Sequence, residues 1–191
     1  MTDATAAQLP VKPPPNWRRR CLWALPVILP LALFVQAHKP LSTWAGASEL
    51  FAEPTSFDRP ATLGGAEWRV VSLQRIAERP DGSAVALLRI EAKVIDAAAV
   101  AQPPCRIALL GADGRRWQPA FLAPSEARRV VGRDKDPGKG CGPAFLGKPP
   151  AGSTVAITES FILPAAAFAT ADVTISLPAS RPRYLRFART R

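Results

Sequence analysis

The sequence has one histidine, one methionine, one tyrosine and three cysteines among 191 residues. With only His38 and Met1 to draw on, neither a cupredoxin-type copper site nor a multi-histidine zinc site can be assembled. His38 stands at the end of an apolar run, before the candidate folded region, so that region holds no Ser-His-Asp or Cys-His arrangement. Two further motifs fail in "GRDKDPGKG", Gly132 to Gly140. A phosphate-binding loop needs its second glycine one residue earlier than Gly138, and a hydroxyl where Gly140 stands. A calcium loop is suggested by Asp134 and Asp136, but no acidic residue completes the series, and Arg133, Lys135 and Lys139 would repel the ion. Glu67, Glu78, Asp81, Glu91, Asp96 and Glu159 could in principle supply a carboxylate pair for glycoside hydrolysis, yet nothing in their spacing singles one out. The chain is therefore expected to be non-catalytic, without cofactor or metal.

Acidic residues are also scarce, 15 against 25 lysines and arginines, for a net charge of +10. A basic balance fits anionic lipid or nucleic acid, but here the arginines are scattered through most of the strand candidates, as on a solvated surface. Proline, by contrast, is abundant at 21 residues, which favours short strands joined by stiff loops over long helices. Hydrophobic residues make up 48% of the chain and recur along its whole length, so a packed core is expected.

The long apolar run "CLWALPVILPLALFVQA", Cys21 to Ala37, carries no formal charge. As a helix it would measure roughly 25 Å at about 1.5 Å per residue, slightly short of the approximately 30 Å hydrocarbon core. Trp17 and Trp44 sit where interfacial aromatics belong, and Pro26 and Pro30 are tolerated in membrane helices. Arg18, Arg19 and Arg20 abut one end, so the positive-inside rule keeps the N-terminus in the cytoplasm and exports the rest, in a bacterial chain to the periplasm or the outside. A cleavable signal peptide is the competing reading, with sites at Val35-Gln36-Ala37 or Ala45-Gly46-Ala47. The long n-region and long apolar run favour an inner-membrane anchor. The expected organisation is a disordered basic cytoplasmic tail over 1–20, a transmembrane helix over 21–37, a linker over 38–60 and an exported domain over 61–191.

Within that domain a two-residue period dominates. In "AVALLRIEAKV", Ala84, Ala86, Leu88, Ile90, Ala92 and Val94 share one face and Arg89, Glu91 and Lys93 the other, the pattern of a half-buried antiparallel strand. "EWRVVSL" changes phase at Val71, suggesting a bulge, and "RPDGS" between the two segments is a hairpin turn. "CRIALLG" and "RRWQPAF" form a second hairpin around Ala112-Asp113-Gly114. "STVAITESFIL", "DVTISL" and "RYLRFA" complete an all-β antiparallel sandwich of six to eight strands, with "PAAAFATA" as a turn or single helical turn. Cys105 and Cys141 are the two cysteines of the exported part, and an even pair in an oxidising compartment reads as a disulfide. That bond would pin the polar, Gly-rich stretch "VVGRDKDPGKGCGP" to the strand starting at Cys105 and contribute up to roughly 4 kcal/mol.

This layout resembles the immunoglobulin-like extracytoplasmic domains of many bacterial lipoproteins, antigens and single-pass anchored proteins of unknown function. The likeness rests on "EWRVVSL", "LLGADGRRW" and "PPAGSTVAITESFILP". It implies binding or scaffolding for an envelope protein, with no catalytic residues to transfer. Two surfaces are candidates for contact. One is the loop carrying Arg133, Lys135 and Lys139. The other is the tail "RPRYLRFARTR", where Arg183, Tyr184, Arg186 and Phe187 interleave charge with aromatics, a composition also suited to anionic lipid. Export argues against nucleic acid, and no small-molecule substrate is expected.

Overall fold

Helix α1 (Trp17–Ala47) carries the apolar run well past its last uncharged residue. The computed structural model describes residues 17–101, 105–134 and 137–189, and it divides into one unit ending at Trp44 and a second starting at Ala45. Within α1, Leu22–Trp44 is long and apolar enough to cross a membrane, and none of it is buried inside the protein. At about 1.5 Å per residue its 23 residues reach roughly 34 Å, enough for a hydrocarbon core of about 30 Å. The helix thus outlasts its expected end at residue 37. Two polar residues, His38 and Lys39, are too few to stop it, and the φ that Pro40 imposes is itself helical.

The second unit is built of strands β1 (Phe51–Ser56), β2 (Ala61–Leu63), β3 (Ala66–Glu78), β4 (Ser83–Val94), β5 (Arg106–Leu110), β6 (Arg116–Trp117), β7 (Thr154–Pro164), β8 (Asp172–Ser176) and β9 (Arg183–Ala188). Short helices α2 (Ala97–Val100), α3 (Ser125–Val131), α4 (Cys141–Leu146) and α5 (Ala165–Phe168) fill the connections. One sheet has four strands in the order β2-β3-β4-β7, the other five in the order β1-β9-β8-β5-β6. Nine strands among the described residues exceed the six to eight expected, because β1 and β2 come from the stretch read as linker and from its border with the domain. The sheets are also not wholly antiparallel. Strand β1 pairs in parallel with β9, Phe51 opposite Arg183 and Ser56 opposite Ala188. It is an edge strand, so Pro54, which has no N–H to donate, breaks no ladder there.

Local chemistry explains the four-stranded sheet. Gly64 and Gly65 join β2 to β3 with φ of +58° and +84°, the positive values a two-residue hairpin turn demands. A Cβ on Gly64 would stand 2.5 Å from Leu177 Cδ1, so a side chain there would have to displace Leu177 as well as adopt an unfavourable φ. Arg79 N–H donates to the Ser83 carbonyl at 2.8 Å, closing the expected β3–β4 hairpin. The register shifts between Val70 and Ser72, the bulge that the phase change at Val71 announced. Strand β4 is not half-buried throughout. Its first half, Ala84 to Leu88, is buried on both faces.

The core lies between the sheets. Ala86, Leu88, Ile90, Ala92 and Val94 of β4 meet Ile107, Leu109, Val173, Ile175, Leu185 and Phe187 of the opposing sheet. Trp68 is fully buried there, donating its indole N–H to the Leu63 carbonyl at 3.0 Å and meeting Phe145 edge-on, ring centroids 5.8 Å apart. A second cluster on the outer face of the four-stranded sheet packs Val85 and Leu87 against Ala127 of α3. The structure is therefore two packed sheets around one core, with a helix closing part of the outside.

Candidate functional site

Alternation along β5 and β8 sends Ile107, Leu109, Val173 and Ile175 inward and leaves Arg106, Ala108, Thr174 and Ser176 on the outer face of the five-stranded sheet. The chain between α1 and β1 lies across that face. There the Glu49 carboxylate accepts hydrogen bonds from the Ser176 hydroxyl and the Arg116 guanidinium. The Arg116 guanidinium in turn sits 5.1 Å from the centre of the Tyr184 ring, in cation–π geometry. Thr174 donates to the Ala108 carbonyl at 3.1 Å. Beside this chain of contacts opens a cleft of about 380 Å³ lined by Ser48, Glu49, Arg106, Arg116, Gln118 and Thr174. It offers guanidinium and amide donors near one carboxylate, which suits reversible polar binding.

The C-terminal strand separates its expected contact residues by alternation. Phe187 is wholly inside the core and Tyr184 is buried under Arg116, so neither aromatic is free to stack on lipid or on bases. Arg186 pairs with Asp172 at 2.7 Å, and the exposed Arg183 pairs with Glu53 at 3.3 Å. Arg189, near the end of that tail, is tucked in. Its guanidinium donates to the carbonyls of Phe168 and Leu73, at 3.0 and 2.9 Å, and packs 4.5 Å from the Phe168 ring centre. Burial away from water lowers its pKa. The tail is thus a last strand locked by its arginines.

The polar, Gly-rich stretch leads into a helix at Cys141. Cys105 and Cys141 are joined, with Cα atoms 5.7 Å apart, and Cys141 starts α4, whose Phe145 enters the core beside Trp68. Glu159, reaching across from β7, accepts the Cys141 N–H at 2.7 Å and caps that helix. Burial raises the pKa of Glu159, against the smaller opposing effect of that hydrogen bond. Asp134 pairs with Arg89 of β4. Arg133 and Lys139 are exposed, as a contact surface requires, and Lys139 forms a backbone bridge to Ile157. Lys135 lies outside the described residues. Of the topology residues, Arg18, Arg19 and Arg20 fall in the first turns of α1, and the Arg19 side chain is exposed.

The other carboxylates serve structure. Asp96 caps α2 through the N–H groups of Ala98 and Ala99, Asp81 closes the β3–β4 turn through Ser83, and Glu78 pairs with Arg75 at 3.0 Å. Glu67 and Glu91 lie opposite Lys93 and Arg69 across the β3–β4 ladder. Glu126 at the start of α3 pairs with Arg79 at 3.2 Å, and its pKa is lowered to about 2 by its own backbone N–H first and by Arg79 second. Among the described residues no three histidine, cysteine or acidic side chains are grouped to hold a metal ion. Glu49 and Arg116, the centre of the outer-face cleft, gave no sequence signal, since they are 67 residues apart and belong to no motif.

No protein-family model matches the chain, and no curated protein matches it in sequence. Among solved structures it is similar to a conserved hypothetical protein from Bacillus anthracis, at 11% identity and a TM-score of 0.40, over 63% of this chain and 87% of that one. An uncharacterized beta-sandwich protein from Clostridium difficile matches at 5% identity and a TM-score of 0.40, over 74% and 96% of the two chains. The yjhA protein from Bacillus subtilis matches at 10% and 0.40, over 72% and 99%. Likenesses of this size carry no argument about function.

Proposed function

We propose that the chain is a single-pass protein of the bacterial inner membrane, with its N-terminus in the cytoplasm and its β domain outside, where it binds or scaffolds another envelope protein without catalysis. The observation that carries this reading is the unburied apolar span Leu22–Trp44 preceding a domain closed by a disulfide. Arg18, Arg19 and Arg20 at the start of α1 supply the orientation. The non-catalytic reading is supported by the structural engagement of the carboxylates, Glu49 among them. Contact residues in this reading are those that remain exposed, Arg133, Lys139 and Arg183.

We read the sandwich as an immunoglobulin-like variant. The sheet orders β3-β4-β7 and β9-β8-β5-β6 follow the A-B-E and G-F-C-C′ arrangement of such domains, with β8 as the central strand of the second sheet. Two departures mark it as a variant. The disulfide ties the start of β5 to a helix instead of bridging the two sheets, and the buried tryptophan sits on β3.

Intact mass and fractionation of the C-terminally tagged chain in a bacterial host test the proposal. Full-length protein that stays in the membrane after alkaline carbonate, with the tag cleaved by protease added outside the inner membrane, is the expected result. A soluble species beginning at His38 or Ser48 would overturn the anchor.

A further inference from the structure

The segment joining β6 to α3 presents two large apolar side chains to solvent. Phe121 is 100% exposed and Leu122 79% exposed. They do not belong to a slack loop. Pro119 and Pro124 bracket them and fix their own φ, Ala120 N–H donates to the Ser160 carbonyl at 2.7 Å, and Pro124 is buried while its carbonyl accepts from Arg128 N–H at 2.9 Å. The pair is held outward on a short, fixed support, where water contact with so much apolar surface is unfavourable unless something covers it.

The neighbouring charge indicates what covers it. Helix α3 begins directly after the loop and carries Arg128 and Arg129, both exposed and neither in an ion pair with a described residue. The only acidic residue of α3, Glu126, is engaged by Arg79. An apolar tip beside uncompensated guanidinium groups matches a bilayer interface, apolar groups entering the acyl boundary and cations meeting lipid phosphates. Chain connectivity keeps the tip within reach of the bilayer. Gln118 lines the same cleft as Ser48 and Glu49, the point where the chain enters the domain. Phe121 follows Gln118 by three residues, at most about 11 Å, and Glu49 follows Trp44, the end of the span, by five residues, at most about 18 Å.

We infer that the Phe121-Leu122 tip, with Arg128 and Arg129, is a second membrane contact that docks the domain on the anionic outer leaflet of the bilayer its helix spans. The inference rests on the anchor reading only for the tether. The test uses the full chain in nanodiscs of phosphatidylcholine, with and without phosphatidylglycerol, carrying an environment-sensitive fluorophore at Leu122→Cys in a Cys21→Ser background. In discs containing phosphatidylglycerol the probe brightens several-fold, is shielded from iodide and is quenched by spin-labelled lipid. All three signals fall to the phosphatidylcholine level in Arg128→Glu/Arg129→Glu, and Phe121→Ser abolishes them. A probe equally open to iodide in both kinds of disc overturns the inference. So does shielding that follows the number of chains per disc whatever the lipid, because the cover is then another copy. If alkaline carbonate strips the chain from the discs, the anchor reading falls, and the same probe is read after adding phosphatidylglycerol vesicles to the released chain. Lipid quenching there sustains the docking tip without the tether, and its absence overturns both.

Discussion

The two sheets share one core and finish their outer faces by different means. The four-stranded sheet covers Val85 and Leu87 with Ala127 of α3, apolar against apolar, and holds that helix at its ends with Arg79–Glu126 and Arg89–Asp134. The five-stranded sheet instead finishes with polar contacts drawn from far along the chain, Glu49 to Arg116 and Ser176, and Asp172 to Arg186. Apolar cover is non-directional and tolerates small displacements, whereas polar cover depends on each partner being present, since a buried polar group left alone loses its hydration for nothing. The outer face of the five-stranded sheet is therefore the more easily perturbed.

The largest expected effect lies in what the two sheets share. Trp68→Ala removes a wholly buried ring and its hydrogen bond to Leu63, and should destabilise the domain by about 3–5 kcal/mol in urea unfolding. A loss below about 1 kcal/mol would mean that the core does not close around β3. Next comes the bond that binds α4 to the sandwich. Cys105→Ser should lower stability by about 2–4 kcal/mol under oxidising conditions and change almost nothing in reductant. Equal losses in both conditions would break the claim that this link, and not the packing of Cys105, is what matters.

Glu49→Ala tests the contrast itself. Leaving the Arg116 and Ser176 donors unmatched should cost about 1–3 kcal/mol and speed amide exchange in β1 and β9, with α3 unaffected. Faster exchange in α3 would erase the distinction between the two faces. The smallest effect is acid titration. The depressed pKa of Glu126 contributes stability that is present above the ordinary glutamate range and lost as pH falls from about 4.5 toward about 2, so α3 should loosen over that interval. Glu159, whose pKa is raised by burial, has the opposite sign. It penalises the folded state as pH rises from the ordinary glutamate range through its own higher pKa, so Glu159→Gln should gain on the wild type in melting temperature as pH rises toward neutral. Parallel pH profiles for the two chains would mean that burial of this carboxyl carries no penalty.

What could be read in the sequence was local. The β3–β4 and β5–β6 turns, the bulge after Val70, the helical turn at Ala165–Phe168 and the two cysteines all announce themselves within a few residues, through turn chemistry, period or composition. The failures were of reach. "FAEPTS" has no alternation and contains a proline, and it becomes a strand only because β9 offers a free edge. "RRWQPAF" was expected to continue as a strand, but β6 stops at Trp117, because Pro119 cannot donate to a ladder and turns the chain toward the exposed tip. The stretch from Cys141 onward gains buried surface, through Phe145, once the disulfide and Glu159 hold α4 against Trp68.

By itself the sequence determined the apolar helix, the β character of the domain and the partners of the tight turns, because these follow from the order of neighbours along the chain. It also determined which chemistries are excluded, since a side chain that is not encoded cannot be placed. Only the tertiary structure decided that Tyr184 and Phe187 are inside, that Glu49 meets Arg116, and that Phe121 stands free. Those outcomes depend on which strand lies beside which, and pairing between distant segments is settled by the closing of the whole core and not by any stretch within it.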